Sequence, residues 1–400
     1  MYVSPSARKG NTDQNMKFTV QKSQLMEKLT PAMGTVSNKN TITSIEGVLI
    51  ETLEGNTIQI STYDMNKGVI AVCEASDVER KGKYIINAQR LYQTLRVLPD
   101  DDITIDINEK LNCEISSGKA NFSIFAARGE DFPNLPDLVS DKGFEVSTAT
   151  LKKVIGKVTH SIAVQDNRAM RMGAYFKINN EEMEVVSCDS FTLSKCNIKC
   201  EINSLINSNA SVDYSFIIPG HALSELTKIL PDDEDFKCTF YLSRKHAIIK
   251  CDNITFFTRT IDSDYIDYNR IIPKENDIFI TVNRERILSA LERANIIEEE
   301  KIQGSGKSYV KITTIENFVV LSSSSVNGKV FDEMDCVHEG NDIEIGFNCR
   351  YLINSIRAAE GEEIIISFKT PTQAITISPK TEDEKFNYLY MVLPVRMNEK

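Results

Sequence analysis

The chain writes nearly the same phrase three times. The stretch YIINAQRLYQTLRVLPDDDITIDI, from Tyr84 to Ile107, returns at Phe216 as FIIPGHALSELTKILPDDEDFKCTF and at Ile343 as IEIGFNCRYLINSIRAAEGEEIIISF. The copies align on Leu91, Leu223 and Leu352, a period of roughly 130 residues, which is the size of a domain. A second phrase repeats between them: FTVQKSQLMEKL from Phe18, FEVSTATLKKVI from Phe144 and ITVNRERILSAL from Ile280. In each, an apolar-x-apolar strand end is followed by two apolar residues four apart: Leu25 and Leu29, Leu151 and Ile155, Ile287 and Leu291. That spacing puts each pair on one helix face, which must be buried.

The two phrases also resemble each other, so each domain reads as two halves, each a strand, a helix and then more strands. GVLIETLEGNTIQISTYD and FKCTFYLSRKHAIIKCDNITFFTRTI alternate β-branched and aromatic residues, broken by Gly, Asn and Asp, as hairpins do. The prediction is an α+β fold of three tandem similar domains, at 16–140, 141–273 and 274–400. DFPNLPDLVSDKG and DYIDYNRIIPKEND supply the linkers. Residues 1–15 are polar and are expected to be a disordered extension, with Met16 an alternative start. LPDDD and LPDDED recur at one place in the repeat, where AAEGEE stands in the third copy. This favours a solvated turn over a metal-binding acidic cluster.

A hydrophobic content of 41% and a charged content of 26% are those of a soluble globular protein. No apolar run approaches the roughly 18 residues of a membrane span. Nine cysteines without a Cys-x-x-Cys pair point to reduced thiols and a cytoplasmic protein. The four histidines lie near neither one another nor paired cysteines, so neither a metal nor a cofactor is expected. GSGKS at 304–308 lacks the glycine a phosphate loop needs at position 301, which is Lys301, and reads as a loop tip. No catalytic constellation is apparent.

The net charge of −11 gives no global attraction to nucleic acid. Its distribution points the other way. The six helices that open the half-repeats carry thirteen basic residues: Lys22, Lys28, Arg90, Arg96, Lys152, Lys153, Lys157, Lys228, Arg284, Arg286, Arg293, Arg350 and Arg357. Against them stand four acids, Glu27, Glu225, Glu285 and Glu292, and five of the six helices are basic on balance. Such a set suits phosphate contact without base readout. Tandem equivalent modules bend into an arc or close as a ring. Two chains joined head to tail would line a hole with their helices. At about 8–10 Å between neighbouring axes and about 5 Å of helix radius, the opening would be about 25 Å, wide enough for a duplex. One chain alone could not enclose it.

The chain also resembles a known family. MKFTV, DFPNL at 131–135, HSIAVQDNR at 160–168, IDYNRIIPK at 266–274, IEIGFN at 343–348 and the ending YMVLPVRM mark it as similar to the bacterial replicative sliding clamp, the β subunit of DNA polymerase III. The resemblance runs from Met16 to Met397. It implies a head-to-tail homodimer forming a closed ring, helices lining the hole and sheets outside, that encircles duplex DNA and tethers the polymerase. It implies no catalysis, and a clamp-loading ATPase as a further partner.

By motif, the resemblance assigns a partner-peptide cleft to Phe191, Leu193, Ile266, Arg270, Ile271, Met391, Leu393, Pro394, Val395 and Arg396. Arg171 stands there where the family usually has an aliphatic residue, and the tail NEK extends past the usual ending. The resemblance adds Lys39 and Gln165 to the DNA-facing set. The loop positions where some members have aromatics hold Ala169 and Met170. For the dimer seam it implies Ile296 and Ile297 against Phe122 and Ile124 of the partner, with EEEK beside the isoleucines facing Lys119. Two other readings compete: a repeat scaffold that binds only proteins, and an enzyme acting on nucleic acid. Neither explains the segregated charge together with the missing catalytic groups.

Overall fold

The computed structural model describes residues 15–37, 43–140, 142–205, 211–233, 235–299, 309–325, 328–381 and 383–397. Residues 1–14 of the expected extension over 1–15, the GSGKS loop and the tail NEK lie outside these residues.

Helices of ten or more residues stand where the half-repeats require them: Lys22–Ala32, Ala88–Val97, Thr148–Val158, Gly220–Ile229, Arg284–Glu299 and Cys349–Ala358. The handover from strand to helix is visible side chain by side chain. Met16–Gln21 buries Met16, Phe18 and Val20 at a period of two; the helix after it then buries Leu25 and Leu29 at a spacing of four. Phe144 and Val146 lead in the same way to Leu151 and Ile155, and Ile280 and Val282 lead to Ile287 and Leu291.

Polar caps fix the turning points. The side-chain oxygen of Asn87 accepts from the Arg90 N–H at 3.0 Å, Asn283 from Arg286 at 3.0 Å, and Asn348 from Arg350 at 3.0 Å. Ser147 caps the helix Thr148–Val158 through the Thr150 N–H. Each satisfies an amide that the helix leaves unpaired, a contribution of about 1 kcal/mol. The helix Lys22–Ala32 has no side-chain cap; its Lys22 N–H donates instead to the Asp101 carbonyl at 3.2 Å.

Two compact units result, and they ignore the repeat boundaries. One comprises 1–143, 228–231 and 237–259; the other comprises 144–227, 232–236 and 260–400. Sheet pairing explains the division. Within the first unit, Ile254–Arg259, the last strand of the middle repeat, pairs antiparallel with Lys67–Glu74, the fourth strand of the first repeat. Ile254 lies opposite Ala71 and Thr258 opposite Lys67. Within the second unit, Phe386–Val392, the last strand of the third repeat, pairs antiparallel with Thr192–Lys199, the fourth strand of the middle repeat. Phe386 lies opposite Ile198 and Val392 opposite Thr192. Both joins obey one rule: the last strand of a repeat adds to the fourth strand of the repeat before it.

The linkers are pinned rather than loose. Phe132 is buried with Leu49, Tyr63, Ile85, Ile248 and Phe257, and Leu135 and Leu138 pack on that cluster. In the second linker Tyr268 opens a single helical turn, Tyr268–Ile271, and is buried against Val186, Leu193 and Met391. Apolar side chains at spaced positions within these Pro- and Asp-rich stretches find core partners, which a composition-based reading of a linker does not foresee.

Candidate functional site

Three surfaces carry the residues singled out from the sequence. The first is an apolar cluster in the second unit. Val186, Cys188, Leu193, Tyr268, Ala374 and Met391 form its buried floor, with Tyr175, Tyr265, Ile266 and Ile272 packed against it. Tyr175 and Tyr265 stack at 5.0 Å with their planes 10° apart, and the Tyr265 hydroxyl donates to the Val186 carbonyl at 3.2 Å. Beside this floor Phe191 remains 53% exposed, and Ile271 and Leu393 are exposed as well. The Leu393 N–H donates to the Phe191 carbonyl at 2.9 Å and the Val395 N–H to the Gly346 carbonyl at 2.8 Å, so the C-terminal segment is held to two separate elements. Pro394 and Val395 are half-buried and Arg396 is exposed.

The cleft residues from the sequence therefore separate into a floor (Leu193, Met391), with Ile266 packed against it, and an accessible rim (Phe191, Ile271, Leu393). Arg270 stands outward, paired with Asp267 at 2.8 Å. Arg171 is not a free cation at this site: it pairs with Asp166 at 3.3 Å, both half-buried. Sequence reasoning missed Tyr351, whose ring stacks on Phe191, and the tyrosines of the linker.

The second group is the set of basic helices, taken helix by helix. Arg90 and Arg96 are exposed and have no ionic partner among the described residues. Others are already engaged: Arg286 with Asp335 at 3.4 Å, Arg357 with Glu292 at 2.8 Å, Arg293 with Asp332, and Lys152 with Asp232. Lys153 meets Glu360 at 3.4 Å, the Arg284 guanidinium donates to the Gly361 carbonyl at 3.1 Å, and the Lys22 ammonium donates to the Leu98 carbonyl at 2.6 Å. Arg350 and Lys228 are exposed, as is Gln165 in its loop.

Two members of the set are buried. Lys28, 8% exposed, pairs with Glu27 at 2.7 Å and Asp252 at 3.7 Å. Lys157, 7% exposed, pairs with Glu360 at 2.7 Å and donates to the Ala358 carbonyl at 2.6 Å. Burial pulls the Lys157 pKa down while Glu360 pulls it up, and burial prevails. Counting charge along a helix cannot tell a buried cation from an exposed one. The helix Arg284–Glu299 also runs further than its repeat suggests. Lys39 lies outside the described residues.

The third surface is a pair of sheet edges left over by the joining rule. Ala120–Arg128, the last strand of the first repeat, pairs with Asn112–Ser117 on one side. On its other side only residues 126–128 are paired, with Tyr84–Ile86, so residues 120–125 have an open edge among the described residues. Gly328–Asp335, the fourth strand of the third repeat, pairs with Phe318–Ser325 and ends its four-stranded sheet. Both edges expose large apolar side chains: Phe122 and Phe125 on the first, Phe331 (69% exposed) on the second, with Ile296 (66%) on the helix of that repeat. Ile124 and Ile297 are half-buried and Lys119 is exposed. Phe125 and Phe331 were not foreseen, although the repeat position of the strand Gly328–Asp335 is the signal that identifies it.

Three family models match the chain in order. They describe the N-terminal, central and C-terminal domains of the DNA polymerase III β subunit and match residues 16–136, 145–267 and 269–396. The chain belongs to this family, the bacterial sliding clamps. Among curated proteins, the β sliding clamp of Bacillus subtilis is 25% identical over 390 residues, covering 95% of this chain and 100% of its own. That of Staphylococcus aureus is 25% identical over 396 residues, with 95% and 99% covered. Among solved structures, the Thermotoga maritima β subunit has a TM-score of 0.86 at 25% identity, covering 96% of this chain and 100% of its own. The fold of the sliding clamp is thus three tandem clamp domains of mixed helix and sheet. The sequence-derived fold class agrees. Among the described residues no helix is long and apolar enough to cross a membrane.

Proposed function

We propose that two copies of this chain join head to tail into a closed ring around duplex DNA, and that the ring tethers the replicative polymerase without catalysis of its own. The observation that carries this reading is the joining rule. It is met twice within the chain, by Ile254–Arg259 on Lys67–Glu74 and by Phe386–Val392 on Thr192–Lys199. It leaves Ala120–Arg128 of the first repeat and Gly328–Asp335 of the third without the equivalent partner. A second copy supplies each with the other, so the circle closes and both of these edges are covered. The repeats are bounded as 16–140, 141–273 and 274–400. Lys119, Phe122, Ile124, Ile296 and Ile297 lie at the seam, joined by Phe125 and Phe331.

The DNA-facing set is Lys22, Arg90, Arg96, Lys152, Lys153, Gln165, Arg284, Arg286, Arg293, Arg350 and Arg357. Lys28 and Lys157 serve packing instead. Exposed ion pairs are worth only about 0–1 kcal/mol each, so phosphates can displace the acidic partners of Arg286, Arg293 and Arg357. The apolar cluster with its rim takes short apolar peptides from the polymerase, from a loading ATPase and from other replication proteins in the cytoplasm. The test is topological. The ring, once placed on closed circular DNA, stays through a sizing column and is lost when that DNA is linearised. Equal retention on both forms would overturn the reading.

A further inference from the structure

The apolar cluster does not end at Leu193 and Met391. These two residues face each other across the join of Thr192–Lys199 with Phe386–Val392, and so do Lys195 and Leu389, and then Asn197 and Asn387. Directly opposed residues share a face, and alternate residues of a strand return to it. All three pairs therefore lie in line on one face of the sheet. A cavity of about 370 Å³ occupies the far part of that line, between Lys195, Asn197, Asn387 and Leu389 on the sheet and Asn269, Ile272 and Lys274 of the linker. Ile272 belongs to both places: it packs on the apolar cluster and lines the cavity.

The chemistry changes along the line. Lys195 is engaged by Glu184 at 2.7 Å. Lys274 is exposed, with no ionic partner among the described residues, and the side chains of Asn269 and Asn387 make no hydrogen bond among them. An amide side chain offers a donor and an acceptor, as a peptide main chain does, so a row of them matches an extended segment.

We infer that the peptide cleft continues into this groove, which takes about four more residues of the bound peptide in extended form, from the four-residue distance between the apolar and amide pairs along the strand. An acidic side chain in that segment pairs with Lys274. The inference rests on the cleft reading above and specifies which partners the cleft prefers: those whose apolar anchor is flanked on one side by acidic residues.

The test uses the full chain and fluorescein-labelled peptides in an anisotropy titration. The short probe is a hexapeptide of leucine, phenylalanine and glutamine; longer ones add Ser-Glu-Ser-Glu, or Ser-Lys-Ser-Lys, at either end. The acidic extension at one end should tighten binding about fivefold, the size of one exposed charge pair, and the basic extension should not. Lys274→Glu and Asn387→Ala should each reduce that gain while leaving the short probe unchanged. If the short probe binds and neither acidic extension helps, or if the gain survives both substitutions, the groove is not a peptide subsite. If the short probe itself fails to bind, the cleft reading falls, and this inference with it.

Discussion

Phe191 lies flat against Tyr351, ring centroids 5.5 Å apart and planes 14° from parallel. Phe191 belongs to the middle repeat and Tyr351 to a helix of the third, so the rim of the cleft is built by an aromatic contact between the repeats. Stacked aromatics add about 0.5–1.5 kcal/mol beyond the area they bury. Tyr351→Ala frees Phe191 to move and should weaken an apolar peptide about fivefold, with little change in melting temperature. Anisotropy and calorimetry, read together, check both halves of this expectation.

The two open edges should act as one. Phe331→Asp sets a carboxylate in the proposed seam, and Phe125→Asp does so from the other side. Each should shift the assembly toward monomer in sedimentation velocity while leaving the circular dichroism spectrum unchanged, because both side chains are exposed in the single chain. If neither substitution changes the mass, these edges are not the seam.

Charge should separate by burial. Arg90→Glu together with Arg96→Glu should shorten retention on circular DNA, and the log–log salt dependence should flatten by about 0.9 for each phosphate no longer neutralised. Lys157→Met should leave that dependence as it was, because Lys157 serves Glu360 and the Ala358 carbonyl. An equal effect from all three positions would contradict the division between packing and DNA-facing cations.

His160 provides a pH signature. Its Nε2 lies 3.0 Å from the Ser194 hydroxyl, its ring meets Tyr390 edge-on at 5.0 Å, and Nδ1 has no hydrogen-bond partner among the described residues. Burial, helped by the charge of Lys157, holds its pKa down at about 4. The unfolded chain takes up this proton near the ordinary value of about 6.5, so the stability is full above that pH and falls between about 6.5 and 4, by up to about 3 kcal/mol. His160→Gln should flatten urea midpoints across that window. If the wild-type and variant curves stay parallel from pH 7.5 to 5, the assignment fails.

Much of the fold was legible because its signals are local. The pairs Leu25 with Leu29, Leu151 with Ile155 and Ile287 with Leu291 announced buried helix faces from spacing alone, and all six residues are buried. Phe331 was not legible: in sequence it is an aromatic in a strand, and only pairing across the sheet reveals its outer side unmatched. The burial of Lys28 and Lys157 was not legible either: Glu360 comes to Lys157 from far along the chain, and the neighbouring Glu27 that pairs with Lys28 says nothing of its depth. Tyr268 and Phe132 were hidden by their company of prolines and aspartates, which mark a linker but say nothing about what anchors it.

The exchange of last strands has a price for the central repeat: it has no independent existence. Its strands Gly173–Asn179, Glu182–Cys188 and Thr192–Lys199 share a sheet with the third repeat, and its closing strands share one with the first. Excised on its own, residues 141–273 would bare Thr192–Lys199 and Ile254–Arg259 together, two raw margins eager for any passing strand, and the fragment would clump rather than stand as a module.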